Sequence, residues 1–194
     1  MAKNSGPISE KLFADTKDSI YQFREQPFTL ASGRQSNHYF NCKHITLDPE
    51  LLWSLARAFR DELIPEVLGE GAADFQACGG LTLGADPMAY ALSLAYREAS
   101  RAVYPIVVRK EAKGHGTGRQ IEGKADHFKE VLLLDDVITT GGSSLKAVAA
   151  LREAGLPVRH CLCIVDRQEG GAQNMAAENV ALHPLFQKSD FTTA

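Results

Sequence analysis

The stretch Val131-Leu132-Leu133-Leu134-Asp135-Asp136-Val137-Ile138-Thr139-Thr140-Gly141-Gly142-Ser143-Ser144 decides the fold. Val131 to Leu134 are apolar without alternation, which describes a strand covered on both faces, as in a parallel sheet sandwiched between helices. Ligands of such sheets gather beyond the carboxyl ends of the strands. The residues leaving this strand suit an anion there. Gly141 and Gly142 let the backbone approach closely, the hydroxyls add donors, and a helix starting near Ser143 directs free N–H groups and its positive dipole end at the same point. A phosphate fits. Asp135 and Asp136 would repel it unless they face neutral hydroxyls or a bound cation, and a phosphorylated sugar with a vicinal diol satisfies both demands. The plainer alternative is a strand–turn–helix junction whose acids cap the helix. A cap needs one acid immediately before the helix, and these two stand several residues upstream.

Working outward, the pattern alternates. Leu145, Val148 and Leu151 share a helical face, Gly155 and Pro157 end that helix, and Val158 to Val165 reads as another buried strand. Upstream, Val103 to Val108 and Phe75 to Cys78 read as strands. Asp86-Pro87 starts a helix, with Asp86 as its cap and Met88, Ala91, Leu92 and Ala95 inward. Asp48-Pro49 starts another as N-cap and N1, with Leu51, Leu55 and Phe59 on one face until Pro65. Ile8 to Phe23 predicts a helix stopped by Pro27, and Phe28-Thr-Leu and His38 to Cys42 predict a small hairpin or hood. Gly114, Gly116, Gly118 and Gly123 punctuate a polar segment without periodicity, too long for an ordinary connection and suited to a mobile lid over 110–124. The expected fold is α/β, with a mostly parallel central sheet, helices on both faces and an N-terminal hood. With no repeat and no linker, 1–194 reads as one domain, with the N-terminal helix and hood over 1–47 and the core over 48–194.

The 194 residues are 44% hydrophobic and 23% charged, a globular balance that excludes disordered and collagen-like classes. By area scaling a chain this long buries roughly 70% of its unfolded surface and needs no staple. No window approaches a membrane span and no signal peptide opens the chain, so a cytoplasmic location is expected. A net charge of −3, from 21 Lys plus Arg and 24 Asp plus Glu, argues against nucleic acid and confines phosphate binding to a local site. Cys42, Cys78, Cys161 and Cys163 form no CxxC pair and read as buried thiols in a reducing compartment. Gly118-Arg-Gln-Ile-Glu-Gly123-Lys124-Ala125 nearly spells a P-loop. Ala125 lacks the hydroxyl that would hold magnesium and no buried strand precedes Gly118, which disfavours a kinase or NTPase.

The strand, the two acids and the Thr/Gly/Ser loop resemble the signature of the type I phosphoribosyltransferase family, in which this loop holds the 5-phosphate of phosphoribosyl pyrophosphate (PRPP). Further stretches resemble, in order, those of orotate phosphoribosyltransferases: Phe28 to Arg34, Tyr39-Phe40, Arg109 to Gly116, and Asp166-Arg167-Gln-Glu-Gly170-Gly171. The resemblance implies transfer of ribose 5-phosphate from PRPP to orotate, with magnesium as cofactor and a homodimer as the working unit. It implies PRPP contacts at Arg109, Lys110, Lys113, His115, Asp135, Asp136, Val137, Ile138, Thr139, Thr140, Gly141, Gly142 and Ser143, and a pyrophosphate loop at Leu81, Thr82, Leu83 and Gly84. Lys113 and His115 would sit on a lid shared across the dimer and act with Asp135 and Asp136 in catalysis. Orotate would meet Thr139, Arg167, Tyr39 and Phe40, and any direct metal ligand would be Asp135 or Asp136. Two positions depart from the pattern. Ala31 stands where many orotate enzymes carry a base-contacting lysine, which keeps another base open, and Leu83 stands where a pyrophosphate-loop lysine is common. The other alternative, a regulator that binds PRPP without turnover, is disfavoured by Lys113, His115 and the net charge of −3.

Overall fold

A computed structural model of the chain describes residues 7–29, 35–69, 75–111, 120–124 and 128–192. A six-stranded sheet has the order β5-β4-β3-β6-β7-β8. It comprises β3 (Ala77–Leu81), β4 (Tyr104–Val108), β5 (Ile121–Glu122), β6 (Val131–Ile138), β7 (His160–Asp166) and β8 (Ala181–Gln187). All neighbours are parallel except β4 and β5, and β6 lies inside, paired with β3 and β7.

The apolar run of β6 divides as a doubly covered strand must. Leu132 and Leu134 pack with Leu12 and Ile20 of α1 (Ile8–Ile20), Leu55 of α3 (Pro49–Ala58), and Met88 and Leu92 of α5 (Asp86–Glu98). Val131 and Leu133 face the other way, onto Ala147, Val148 and Leu151 of α6 (Gly142–Glu153) and Met175 of α7 (Gly171–Ala177). Leu132, Leu133 and Leu134 are 1%, 0% and 1% exposed, and each such burial contributes roughly 1.5–3 kcal/mol. The four cysteines are buried and free, as the sequence predicts. Among the described residues no helix is long and apolar enough to cross a membrane.

Several boundaries move. Helix α1 ends at Ile20, and Tyr21–Thr29, including Pro27, forms β1, antiparallel to β2 (Gln35–Phe40). The expected hood hairpin is thus present with a longer first strand. Asp48 caps α3 as expected, accepting from the backbone N–H of Glu50 and Leu51. Pro65 does not stop that helical run, which continues through a π-helical turn (Phe59–Leu63) into α4 (Ile64–Leu68). Asp86 lies inside the first turn of α5, whose N-cap is Ala85, and its carboxylate accepts from Thr82 Oγ1 at 2.8 Å instead of capping. Asp135 and Asp136 lie within β6, because the pairing with β7 carries the strand on to Ile138. Part of the expected lid, Ile121–Glu122, is an edge strand on β4. The sequence reading did not find α7 or β8. The short helices α2 (Lys43–Thr46) and α8 (Lys188–Thr192) complete the order.

Candidate active site

The carboxyl ends of β3 and β6 open into two cavities that share Asp135 and Ser143 in their walls. The smaller, about 460 Å³, is lined by Asp135, Val137 to Ser144, Lys146 and Arg167. Its floor is the first turn of α6. Gly141, the N-cap, has φ +77°, a left-handed conformation that glycine adopts without strain. This turn lets the backbone fold over so that the unpaired N–H groups at the start of α6 face the cavity. Asn174 Nδ2 donates to the Thr140 carbonyl at 2.9 Å and ties α7 to the loop.

The larger cavity, about 980 Å³, runs from the same acids over the β3–α5 turn, with Leu81, Thr82, Leu83, Gly84, Asp86, Lys43 and Lys110 in its wall. The turn sits against the acids. A Cβ on Gly84 would lie 2.9 Å from Asp136 Oδ1 and 3.1 Å from Asp135 Oδ1, so only glycine leaves both carboxylates where they are. Leu83 is 77% exposed and offers no charge, which leaves the nearby cations to Lys43 and Lys110.

The two carboxylates are held differently. Asp135 is 9% exposed; its Oδ2 accepts from Ser144 Oγ and its Oδ1 from the Asp136 N–H at 3.0 Å. Burial pushes its carboxyl up to about 7, the Ser144 hydroxyl opposes that rise, and the Asp136 charge adds to it. Asp136 Oδ1 accepts from the Val137 N–H at 2.9 Å, and its side chain borders the larger cavity. Neither acid caps α6: both oxygens of Asp135 accept from the protein, and Asp136 borders the larger cavity as a diol or cation would require. Carboxylate oxygens are the ligands magnesium prefers, so this pair fits such an ion.

Arg167 follows β7 and is 3% exposed. Its Nη2 donates to Ser36 Oγ at 2.9 Å and to the His38 carbonyl at 3.3 Å, and approaches Glu169 Oε1 at 2.7 Å. Its Nε is buried without a partner among the described residues, and the planar guanidinium in the wall of the smaller cavity suits an anionic, carbonyl-rich ligand. One guanidinium thus joins the hood to the smaller cavity.

The remaining expectations divide. Thr139 lines the smaller cavity and Lys110 the larger, whereas Arg109 pairs with Glu122 at 3.7 Å across β4 and β5. Lys113, His115 and Ala31 lie outside the described residues. Tyr39 and Phe40 separate, as neighbours on a strand do. Phe40 is buried, its ring 5.9 Å from the Arg167 guanidinium, and Tyr39 stacks on Phe28 at 5.1 Å. Sequence reasoning passed over Lys43, Lys146, Ser36 and Glu169. Lys146, one turn after the Thr/Gly/Ser loop and on the face of Ser143, and Glu169, two residues from Arg167 and opposite in charge, carried a local signal.

No protein-family model matches the chain. The orotate phosphoribosyltransferase of Leptospira biflexa serovar Patoc is 55% identical over 182 residues, 94% of this chain and 96% of the relative. The chain belongs to the orotate phosphoribosyltransferase family. A solved orotate phosphoribosyltransferase of Mycobacterium tuberculosis H37Rv shares its fold at a TM-score of 0.78 and 32% identity, covering 96% of this chain and 100% of that one. The structure of that enzyme with PRPP aligns at a TM-score of 0.73 and 27% identity, over 97% of this chain and 93% of that one. The α/β fold with its mostly parallel sheet is thus that of a type I phosphoribosyltransferase.

Proposed function

We propose that the chain transfers ribose 5-phosphate from PRPP to orotate, giving orotidine 5-monophosphate and pyrophosphate, as a step of pyrimidine biosynthesis. The observation that carries this reading is the pair of cavities meeting at Asp135 and Ser143, with an anion cradle and Arg167 on one side and a lysine-flanked turn on the other. The 5-phosphate takes the α6 N-terminus, the ribose hydroxyls face the acids, and the pyrophosphate lies over Leu81 to Gly84 between Lys43 and Lys110. Arg167 and Thr139 receive orotate.

The bond from C1 to the pyrophosphate oxygen breaks with its electron pair leaving on oxygen, and the orotate ring nitrogen, whose proton passes to the departing pyrophosphate or to water, supplies the pair of the new bond. Charge grows on pyrophosphate and the sugar becomes oxocarbenium-like. Catalysis therefore rests on neutralising the leaving group, holding the diol and excluding water. Lys110, with Arg109, Lys113 and His115, meets the departing charge. When bound, magnesium would offset more of it, held by Asp136, or by Asp135 as well, beside pyrophosphate and water oxygens.

We further read 1–194 as one domain working in the cytoplasm, with neither nucleic acid nor membrane as partner; the net charge of −3 supports the absence of a nucleic-acid partner. The working unit is a homodimer whose 110–124 lids cross between subunits. Support for a covering copy comes from Leu47, Leu83, Tyr90 and Leu94, which are 74%, 77%, 51% and 63% exposed around the larger cavity.

Two experiments test this. Incubated with PRPP and magnesium, the enzyme consumes the ultraviolet signal of orotate and leaves uracil, adenine, guanine and hypoxanthine untouched; turnover of a purine but not orotate overturns the specificity. Lys113→Ala and Asp136→Asn, each nearly inactive alone, are then unfolded and refolded together. With lids crossing, half of the dimers are mixed and each carries one intact site, so activity recovers to about a quarter of wild type. No recovery, with mixed dimers present by mass spectrometry, rejects the shared site.

A further inference from the structure

We propose that Ser144 is a positioning residue for phosphoribosyl transfer. Its hydroxyl fastens the Asp135 carboxylate to the first turn of α6, so that the phosphate cradle and the sugar-facing acids form one rigid unit. The inference rests on the reading that these cavities hold PRPP.

The sequence places Ser144 among the hydroxyls available to an anion; it stands in the wall of the smaller cavity, but its hydroxyl is committed to Asp135. Ser144 is 2% exposed, on the third residue of α6, and its Oγ donates to Asp135 Oδ2. The other oxygen of Asp135 accepts from the Asp136 N–H at 3.0 Å, so both oxygens of this carboxylate are engaged by the protein. Asp136 has one oxygen on the Val137 N–H at 2.9 Å and lines only the larger cavity. The two neighbouring acids therefore do different work. Asp136 meets the sugar or its cation, and Asp135 is the strut between β6 and α6.

The strut matters because PRPP bridges the two elements it joins. The 5-phosphate sits on the N–H groups of α6, while the hydroxyls of the same ribose sit on the end of β6. A shift of α6 relative to β6 would make the ligand satisfy one end at the expense of the other. Without the Ser144 hydroxyl a buried carboxyl oxygen loses its donor, and the side chain must rotate towards water to regain one.

The test uses full-length enzyme, steady-state kinetics with each substrate varied, and calorimetric titration of PRPP. Ser144→Ala is expected to weaken PRPP binding and lower kcat/KM for PRPP about tenfold to a hundredfold, the effect of leaving a buried carboxyl oxygen without its donor. The KM for orotate stays within about twofold. Ser144→Thr restores the hydroxyl and recovers most of the loss. Ser144→Cys, a weak donor of similar size, falls between and stands in if the alanine variant folds poorly. In an Asp135→Ala background, Ser144→Ala changes PRPP affinity by less than about threefold, because the partner is already gone.

The inference is overturned if Ser144→Ala binds PRPP like the parent, if both substrates weaken equally without recovery in Ser144→Thr, or if the two alanine substitutions add independently. Wild-type enzyme that takes up no PRPP in the same titration would instead remove the underlying reading, and the inference with it.

Discussion

Replacing Arg167 by alanine should damage stability and base binding together while sparing PRPP. The side chain is 3% exposed, and its Nη2 holds Ser36 Oγ, the His38 carbonyl and Glu169. Truncation removes charge-assisted bonds between the hood and the end of β7 and leaves Glu169 to rehydrate, for a cost of about 2–4 kcal/mol. For a chain of this length that lowers Tm by roughly 5–15 °C. Arg167 also lines the smaller cavity, so orotate affinity should fall as well, about tenfold to a hundredfold. PRPP touches none of these atoms in the proposed arrangement, and its affinity should change by less than about threefold. Ser36→Ala is the control. It removes one hood tether and keeps the guanidinium, with an expected loss of about 0.5–1.5 kcal/mol in stability and little change towards orotate. Calorimetry with each ligand and a thermal melt decide between the two roles. An Arg167→Ala enzyme that binds orotate like the parent, or that weakens both ligands equally, would show that Arg167 only fastens the hood.

Gly84→Ala places a methyl 2.9 Å from Asp136 Oδ1 and should displace both acids. PRPP affinity is expected to drop about tenfold at a cost of about 1–3 kcal/mol, and unchanged titrations would show that the acids can retreat freely. The Asp135 carboxyl, raised from 3.8 to about 7 by burial, favours the folded state while protonated. Its contribution is full below pH 4 and is lost as pH rises through 7, so ligand-free Asp135→Asn should gain on the parent across that window. Parallel Tm curves would contradict the shift. Burial and the neighbouring His160, whose ring stacks at 5.3 Å, lower His183 to about 4. That contribution is present above pH 6.5 and lost as pH falls towards 4. His183→Gln should flatten this acid loss by about 1 kcal/mol, since half-exposed charge is screened, and an identical acid limb would refute it.

What was legible in the sequence was local. The Val131 to Leu134 run, the Asp48-Pro49 cap and the Thr/Gly/Ser loop each carry their conformation within a few residues, and each appears where expected. The misplaced elements turn on prolines whose cost depends on distant partners. Pro27 lies in a strand because the β1–β2 register shifts between Phe23 and Phe28, where no ladder N–H is required of it. Pro184 hid β8 for the same reason, since that strand is the sheet's edge. Pro65 follows a π-helical turn at the start of α4, where a missing N–H is tolerated. The site shows the same division. Hydroxyls beside glycines announce an anion cradle, but which hydroxyl faces the anion depends on what lies across the helix. Ser143 borders both cavities, and its neighbour Ser144, one residue around the helix, faces a strand carboxylate. The helical step of about 100° per residue separates their roles, and only the packing of α6 on β6 decides which serine gets which partner. Arg167 and Glu169 show the limit from the other side: two residues apart and opposite in charge, they are an obvious pair. The Ser36 hydroxyl that accepts from the same Nη2 lies 131 positions away, and only the closed hood brings it there.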